Sequence, residues 1–555
     1  MLMANLYVGV SGLQTSQNAL NTTAHNLANI GTEGYTRQQV SQGDRRYQTI
    51  DIRPAISHKQ TGLGVAYVNC KQVRSVFLDA SYRLESGRSE FYDISYETLE
   101  QVEDLLQEMN GAEFADNLTN LWEQVQELAK DPTSAVNQAA FVNRCAEFVE
   151  SAKAVYSGLV EYQENLNNQV ETLVDEINDI GDEIRELNQK IVAIESGSVE
   201  HANDLRDTRN SLLDRLGELG NITYEEDSFG NVLVNFEGTQ FVLSDNVHHL
   251  GVDITESACN YNTVYWEYAA KKYTDEEGNT VLDISGAHVY DLTRTVSTQL
   301  NTDVGELRST LLARGDHNAT YHDITDDETG TYYNKNIAQS VIMNIEAEFD
   351  QMFHNIVTAI NDVYENAASN PATLTNLKSG TATANPADYV MFNMIDDDDA
   401  LTYDIDDEHV AGNNITGFTI VNTKVNETLL QNPTVCTFQT IDEEEDTAAA
   451  TALKEVFTNA RYTLNPNVST QIDLIEYYDA LVAQVANTGS INKALSENQQ
   501  ITVNTIASAR EQIVGVSSDE ELEFMIEFQN AYNAASRFIN VVSEMLEHVV
   551  TSLGG

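Results

Sequence analysis

The chain has 555 residues, of which 41% are hydrophobic, and it carries 30 basic against 87 acidic side chains, a formal net charge of −57. A chain of this length exceeds one hydrophobic core, so we expect roughly three or four domains. Nucleic acids and anionic membranes bind proteins through basic surfaces, so this charge argues against both as partners. It is typical of a strongly acidic, solvated surface.

The spacing of the cysteines and the length of the apolar segments exclude further classes of protein. Cys70, Cys145, Cys259 and Cys436 are far apart, without a CxxC pair, so neither a zinc knuckle nor an extracellular disulfide framework is indicated. No apolar run is long enough for a transmembrane helix, and Arg37 is the first basic residue, so we expect no cleaved signal peptide. The protein is therefore expected to be cytosolic or to be exported without a cleaved signal.

A heptad row of apolar residues opens the chain and predicts an amphipathic helix. Most other positions of this helix are Asn, Thr, Gln or Ser, so it has little apolar surface to bury. A helix of this kind needs a partner, and we expect residues 1–35 and 518–552 to be disordered in the free monomer. The row consists of Leu6, Val10, Leu13, Gln17, Leu20, Ala24 and Leu27.

Further helices follow along the chain. Residues 89–130 and 137–160 are predicted to be helical, with a break at Asp131-Pro132. Nine apolar residues between Leu166 and Ile194 keep an unbroken heptad spacing, which indicates a long helix in a coiled-coil-like packing. Helices are also predicted over 203–216, 337–367 and 470–512.

Two stretches have a different pattern. Residues 221–300 and 371–465 contain short β-branched and aromatic runs, separated in part by Gly-Asn turns, which predict hairpins. Helices at both ends of the chain with strands between them imply that the two termini pair with each other.

The last helix has a start signal and a wide apolar face. Ser518 is its expected N-cap, with Glu521 three residues later completing a capping box. One apolar row runs from Met525 to Val549, and a second includes Phe524, Phe538 and Met545. Two rows predict contact with more than one neighbouring helix, although an ordinary core within one monomer is the alternative.

The sequence contains no GxSxG, P-loop, HExxH or GxGxxG motif, so we predict no catalytic residue and no cofactor. His248-His249 is expected at the surface, and residues 316–323, with two His and two Asp, are a weak candidate for a metal site. The acidic loops 274–279 and 326–330 do not fit a calcium-binding loop. We therefore predict no metal and no enzymatic activity.

Residues 4–38, ANLYVGVSGLQTSQNALNTTAHNLANIGTEGYTRQ, resemble the terminal motif shared by the rod, hook and hook-associated proteins of the bacterial flagellum. Gly31 and Glu33 stand where this axial family usually has Asn and Pro. The GYTRQ segment (34–38), residues 166–216 and 305–315, and the final helix are similar to the members at the hook–filament junction. The strand-rich stretches carry no recognisable resemblance.

The resemblance implies a multidomain α+β fold, with N- and C-terminal helices paired as in a coiled coil, a helical domain and strand-rich inserted outer domains. The corresponding divisions are 1–38 with 515–555, 39–220 with 301–370 and 466–514, and 221–300 with 371–465.

It also implies a structural role: a layer between hook and filament that is needed for filament assembly. The implied partners are copies of the chain in a helical layer, the hook protein, the adjacent hook-associated protein and through it the filament, and a cytosolic export chaperone at the C-terminal helix. Export would use the flagellar type III apparatus.

Within this family the expected assembly interface consists of the terminal apolar rows. The N-terminal row, without Gln17, is expected to pack against one C-terminal row, and the second C-terminal row to face other subunits. Alternatives are a hook or distal-rod protein, an axial protein with an enzymatic insert, and an acidic calcium-binding surface protein. The C-terminal residues are Phe528, Tyr532, Ile539, Val542 and Leu546 in the first row and Phe524, Phe538 and Met545 in the second.

Overall fold

The computed structural model describes residues 2–32, 34–45, 47–53, 57–107, 114–197, 201–254, 259–274, 280–325, 329–369, 390–395, 401–402, 417–435, 438–440, 442 and 444–553. The helices are α1 (Leu2–Ala28), α2 (Val76–Gln107), α3 (Phe114–Lys130), α4 (Ala135–Glu195), α5 (Asn203–Leu219), α6 (Glu306–Arg314), α7 (His322–Thr325), α8 (Val341–Ser369), α9 (Glu427–Gln431), α10 (Thr447–Thr458), α11 (Leu474–Val514) and α12 (Ser518–Leu553), with a π-helix at Tyr333–Ile337.

The strands are β1 (Gln38–Asp44), β2 (Gln48–Arg53), β3 (Ser57–Thr61), β4 (Val65–Gln72), β5 (Ile222–Glu226), β6 (Val232–Phe236), β7 (Thr239–Val242), β8 (Leu250–Asp253), β9 (Thr263–Trp266), β10 (Lys271–Thr274), β11 (Thr280–Asp283), β12 (Phe392–Ile395), β13 (Leu401–Thr402) and β14 (Thr423–Val425). All pairings among them are antiparallel, in small sheets ordered β1-β4, β2-β3, β5-β6-β7, β8-β9, β10-β11 and β13-β12-β14. The multidomain α+β fold expected from the sequence is confirmed.

The terminal helices lie side by side, and the β1–β4 ribbon packs against α1. The chain thus begins and ends in one unit, which we call the terminal unit (α1, β1, β4 and α12). Pairing of the N- and C-terminal helices is the arrangement that the two heptad patterns predict.

One core joins the helices of the middle of the chain. The ring of Phe114 in α3 lies 5.5 Å from Phe148 in α4, 5.0 Å from Phe349 in α8 and 4.9 Å from Tyr478 in α11, centroid to centroid. Aromatic rings bury a large apolar area each, so this cluster fixes four helices against one another. The break predicted at Asp131-Pro132 is confirmed, because α3 ends at Lys130 and α4 begins at Ala135.

The described part of 371–465 belongs to that same core. Strands β12 and β14 and helix α10 contribute Phe392, Val425 and Phe457 to it. The stretch was predicted to be strand-rich, but it also contains the alanine-rich helix α10. Asp446 caps this helix by accepting a hydrogen bond from the Ala449 amide. The division of the chain into domains at the predicted boundaries remains a prediction.

A second core surrounds the later half of α4. The heptad row of this helix is buried from Leu166 to Ile191, and Ile194 is exposed. From Val170 to Ile184 the row packs with α5, α6 and strands β6 to β9, which differs from the helix-to-helix, coiled-coil-like packing expected for it. A Cβ on Gly181 would lie 2.5 Å from the Phe241 ring, so a sheet, with its own apolar face, covers this side of α4.

None of the helices in the described ranges combines the length and the apolar composition that a membrane crossing requires.

Candidate assembly interface

Glycines bring the two terminal helices close together. A Cβ on Gly9 of α1 would lie 2.7 Å from Cγ1 of Ile539 and 3.1 Å from Cδ1 of Phe538, both in α12. A Cβ on Gly12 would lie 3.6 Å from the Cβ of Ala535, an ordinary van der Waals distance. The helices therefore meet where α1 has no side chain, and Gly9 is the position of closest approach.

The buried side of α1 lies one residue ahead of the predicted apolar row. Of that row, Leu6, Leu13, Leu20 and Leu27 are half-buried, while Val10 and Ala24 are exposed. The heptad spacing of the prediction is present, but the small and polar residues form the buried line. That line consists of Gly9, Ser16, Ala19, Thr23 and Asn26, with Gly12 half-buried between the first two.

Polar side chains of α1 bond to the ribbon beside it. Oγ of Ser11 accepts a hydrogen bond from the Val65 amide at 3.3 Å. The Asn26 side chain donates to the Gln38 carbonyl at 2.9 Å and accepts from the Gln38 amide at 3.1 Å. Since each buried backbone group needs a partner, the Asn- and Ser-rich composition of this helix serves its contact with β1 and β4.

The first C-terminal row lies on the side of α12 that meets α1. Val542 is 2% exposed, and Phe528, Tyr532, Ile539 and Leu546 are half-buried. The contact of Ile539 with Gly9 places this row at the helix pair.

The second C-terminal row divides into two parts. Phe524 is half-buried, stacks on Phe528 at 6.1 Å and lies 5.7 Å below the Arg37 guanidinium. Phe538 and Met545 remain 41% and 53% exposed. Only the later part of this row is therefore open to a further partner.

Two more exposed residues extend this open surface: Val541, which belongs to neither predicted row, and Val549, the last residue of the first row. Val541 and Val549 share one face of α12 with Phe538 and Met545, because the four residues follow one another at spacings of three and four. Their i, i+3, i+7, i+11 pattern is visible in the sequence, but only the structure shows that this side is uncovered. We call Phe538, Val541, Met545 and Val549 the exposed stripe.

The GYTRQ segment joins the terminal unit to the rest of the chain. Gly34 has a φ of +75°, a conformation that glycine adopts without strain, as its position in the turn predicts. The hydroxyl of Tyr35 donates to Oδ1 of Asn26 at 2.7 Å, and the Thr36 amide donates to Oδ2 of Asp207 in α5 at 3.2 Å. The Arg37 amide donates to the carbonyl of Val514 at the end of α11 at 2.9 Å.

The start of α12 differs from the predicted capping box. The helix begins at Ser518, and Oγ of Ser517 accepts from the Glu520 amide at 3.5 Å, so Ser517 and not Ser518 is the cap. Glu521 does not close the box, because its Oε1 accepts a hydrogen bond from Nε of Arg37 at 3.0 Å, while Nη1 of Arg37 reaches Glu520 at 2.9 Å. An ion pair to a distant segment has replaced the bond by which Glu521 was predicted to close the box.

A network of ion pairs next to the GYTRQ segment was not predicted from the sequence. Arg74 donates two hydrogen bonds of 3.0 Å to Asp79, and Arg510 bonds both Asp79 at 2.9 Å and Asp214 at 2.6 Å. Arg83 bonds Asp214 at 2.7 Å. These residues tie α2, α5 and α11 together. The signal available in the sequence was the presence of arginines in a chain with 87 acidic side chains, where each arginine is expected to find a carboxylate.

The histidines that were considered as possible metal ligands make contacts within the fold. The ring of His248 stacks on Tyr268 at 4.1 Å, and Nε2 of His249 lies 3.1 Å from Oδ2 of Asp182. His317 lies between Asp316 and Asp323. Across the ranges that the structure describes, no group of three or more His, Cys, Asp or Glu is placed to hold a metal ion, and residues 275–279 and 326–328 of the acidic loops lie outside those ranges.

The structure is a long helical frame with both termini joined in one unit and an apolar stripe left open on it. The family model of the helical domain of the flagellar hook-associated protein FlgK matches residues 99–376, and that of the flagella basal body rod protein matches residues 6–36. The chain belongs to the FlgK family of flagellar hook-associated proteins, structural proteins of the bacterial flagellum.

The related proteins align with this chain over different lengths. Flagellar hook-associated protein 1 of Bacillus subtilis is 26% identical over 572 aligned residues, covering 100% of this chain and 99% of that protein. Its namesake from Escherichia coli is 22% identical over 182 residues, 33% of this chain and 32% of that protein. The solved structure of the flagellar hook junction protein FlgK from Burkholderia pseudomallei has the same fold, with a TM-score of 0.51 at 10% identity, covering 78% of this chain and 99% of that one.

Proposed function

We propose that copies of this chain form the junction layer between hook and filament, held together through the exposed stripe on α12. The observation that supports this is the exposure of Phe538 and Met545 on a helix whose other side is already covered by α1. A contiguous apolar surface on a soluble subunit marks an interaction site. Repetition of one such contact between identical subunits produces a ring or a helical layer.

The charge of the chain supports a contact of this kind. At −57, copies of the chain repel one another over most of their surface, which disfavours random association. An apolar stripe on one helix gives association a single place where burial outweighs repulsion, since burial is favourable in proportion to the apolar area removed from water. Tyr7 and Val10 of α1 are also exposed and enlarge the candidate surface at the same end of the molecule.

The proposed partners beyond other copies are the hook protein on one side and the adjacent hook-associated protein, and through it the filament, on the other. A flagellar hook protein, FlgE of Borreliella burgdorferi, is 37% identical to this chain over 71 residues, 12% of this chain. A stretch shared with a hook subunit supports similar packing of the two proteins at their boundary.

We also propose that the protein is secreted through the flagellar type III apparatus and that a cytosolic chaperone covers α12 beforehand. An uncovered apolar stripe supports the need for such protection. The proposed role is structural, with assembly as the mechanism and with no catalysis, no cofactor, no nucleic acid and no membrane involved.

Two strains test the proposal. Deletion of the gene is expected to give hooks without filaments and flagellin in the medium. Phe538→Asp is expected to leave the monomer folded, by circular dichroism, and to give the same secretion of flagellin, because a charge in the stripe opposes burial.

Asn540→Asp is the matched control, since it adds the same charge at an exposed position of α12 on the side away from the stripe. It is expected to keep normal filaments. Normal filaments in the Phe538→Asp strain would contradict the interface, and filaments on the hooks of the deletion strain would contradict the function.

A further inference from the structure

A cavity of about 470 Å³ lies between β4, the start of α2, α5 and strands β5 and β6, away from the exposed stripe. Its wall holds five of the 30 basic residues of the chain but only three of the 87 acidic ones. The chain as a whole has a net charge of −57, so the excess of basic over acidic residues in this wall is the reverse of the overall composition. The basic residues are Lys71, Arg74, Arg83, Arg206 and Arg209, and the acidic ones are Asp79, Glu225 and Glu226.

Three buried hydrogen-bond donors of this cavity have no acceptor within the described residues: Nη1 of Arg83, Nε of Arg209 and the hydroxyl of Tyr224. The two arginine side chains are each 2% exposed. A buried donor without a partner costs roughly 1–3 kcal/mol. Three residues in the wall of one cavity carry such donors, and this points to a ligand that accepts hydrogen bonds.

Other contacts hold these donors in place. Nε of Arg83 bonds Asp214 at 2.7 Å, and its guanidinium lies 4.4 Å from the Tyr224 ring centroid. Nη1 of Arg209 donates to Asn188 at 2.8 Å and to the Gly230 carbonyl at 2.7 Å. The donors are therefore preorganised, which reduces the entropy that a ligand loses on binding.

The positive charge of Arg209 is only weakly compensated. Its two close acceptors are neutral, and the nearest carboxylate, Glu226, lies at 3.7 Å and bonds Arg206 more closely, at 2.8 Å. Burial lowers the pKa of Arg209 to about 10, so it is still cationic at neutral pH, and burial raises the pKa of Tyr224, which keeps its proton. An anion would supply both the missing charge and the missing acceptors.

We propose that this cavity binds a small oxyanion, a phosphate or a carboxylate, through Arg83, Arg209 and Tyr224 of its wall. Arginine recognises both groups through parallel N–H donors. The site is independent of the proposed interface. It is connected to the GYTRQ segment, however, because Arg74 lines the cavity and also donates to Oγ1 of Thr36 at 3.3 Å.

The test is titration calorimetry of the full chain with inorganic phosphate, against chloride at equal ionic strength. We expect saturable binding of one phosphate per chain. Tyr224→Phe removes only a hydroxyl that has no partner in the described protein, so the variant is expected to fold and to bind phosphate about tenfold more weakly.

Tyr290→Phe is the matched control, because its hydroxyl is also buried without a partner but does not line this cavity. It is expected to bind phosphate like the unchanged chain. Absence of saturable binding, or equal weakening in both variants, would overturn the site.

An acidic side chain from a second copy would present the same chemistry as a free anion. Sedimentation of the unchanged chain and of Tyr224→Phe separates the two sources. We expect both to sediment as monomers with and without phosphate. Self-association that is lost in Tyr224→Phe and competed by phosphate would overturn the proposal of a free oxyanion.

Discussion

Nε of Arg37 donates a hydrogen bond to Oε1 of Glu521 across 3.0 Å, between residues 484 positions apart in the sequence. Arg37 belongs to the turn after α1 and Glu521 to the first turn of α12, where a carboxylate is also favoured by the helix dipole. Glu521 is 2% exposed, so this pair is nearly enclosed on one side. The contact fixes the place where the last helix begins relative to the first.

Replacing Arg37 tests this contact. Arg37→Ala leaves the buried carboxylate of Glu521 without its charged partner, and we expect a loss of about 1–3 kcal/mol in the free energy of unfolding of the assembled protein, measured in urea. Glu520→Gln is the control, because Glu520 bonds the same arginine but is 57% exposed. An exposed pair contributes about 0–1 kcal/mol, so little change is expected. Equal effects of the two variants would contradict the special role of Glu521.

The close approach of the terminal helices at Gly9 predicts a size limit. Gly9→Leu places side-chain atoms where Ile539 and Phe538 already lie, and we expect it to destabilise the helix pair by about 1–3 kcal/mol. Gly12→Ala meets Ala535 at 3.6 Å, so it is expected to be neutral or to stabilise α1 by up to about 1 kcal/mol. Thermal unfolding of the assembled protein, in which the terminal helices are expected to be ordered, compares them by circular dichroism, and an unchanged melting temperature for Gly9→Leu there would refute the close contact.

The ion pairs of His317 with Asp316 and Asp323 predict a loss of stability at alkaline pH. Burial lowers the pKa of His317, but its bonds to Asp316 and Asp323 outweigh this effect and raise the pKa to about 10. Because the pKa of His in the unfolded chain is about 6.5, the stabilisation is complete below that pH and is lost as pH rises towards 10. His317→Gln should therefore flatten the dependence of melting temperature on pH between about 7 and 10.

Glu346 predicts a similar loss at lower pH. Burial raises the pKa of this carboxyl from 4.5 to about 8, so the folded protein holds the proton more tightly than the unfolded chain. Stability is then expected to fall as pH rises through that interval, because the carboxyl ionises in the unfolded chain while the buried carboxyl keeps its proton. Glu346→Gln keeps an acceptor for the Ala319 amide and should flatten the dependence below pH 8. A slope equal to that of the unchanged chain would show that Glu346 does not titrate in this range.

Hydrogen exchange tests the expectation that the ends of the free monomer lack stable structure. Among the described side chains of α12, only Glu521 and Val542 are buried, whereas α4 buries residues along almost its whole length. We therefore expect fast exchange over residues 1–35 and 518–552 and slow exchange in α4. Assembly should slow exchange at the ends. Slow exchange there in dilute monomer would mean that the helix pair is stable by itself.

Much of the frame follows from local patterns. The periodicity of residues 203–216 and 470–512 predicts α5 and α11, and the Gly-Asn turns predict the hairpin of β5 and β6. The register of α1 could not be predicted in this way. Its apolar row is only half-buried, because close packing against α12 selects residues for small size at Gly9 and Ala19 rather than for hydrophobicity.

The sequence by itself determined that the two ends of the chain are amphipathic helices in need of partners and that they resemble flagellar axial proteins. Heptad spacing and a local motif are properties of residues close together in the sequence, so they can be recognised without a tertiary structure. Only the tertiary structure decided that Glu521 pairs with Arg37, and that Phe538 stays open while Phe524 is covered. Those outcomes depend on contacts between segments separated by hundreds of residues, which periodicity along the chain does not encode.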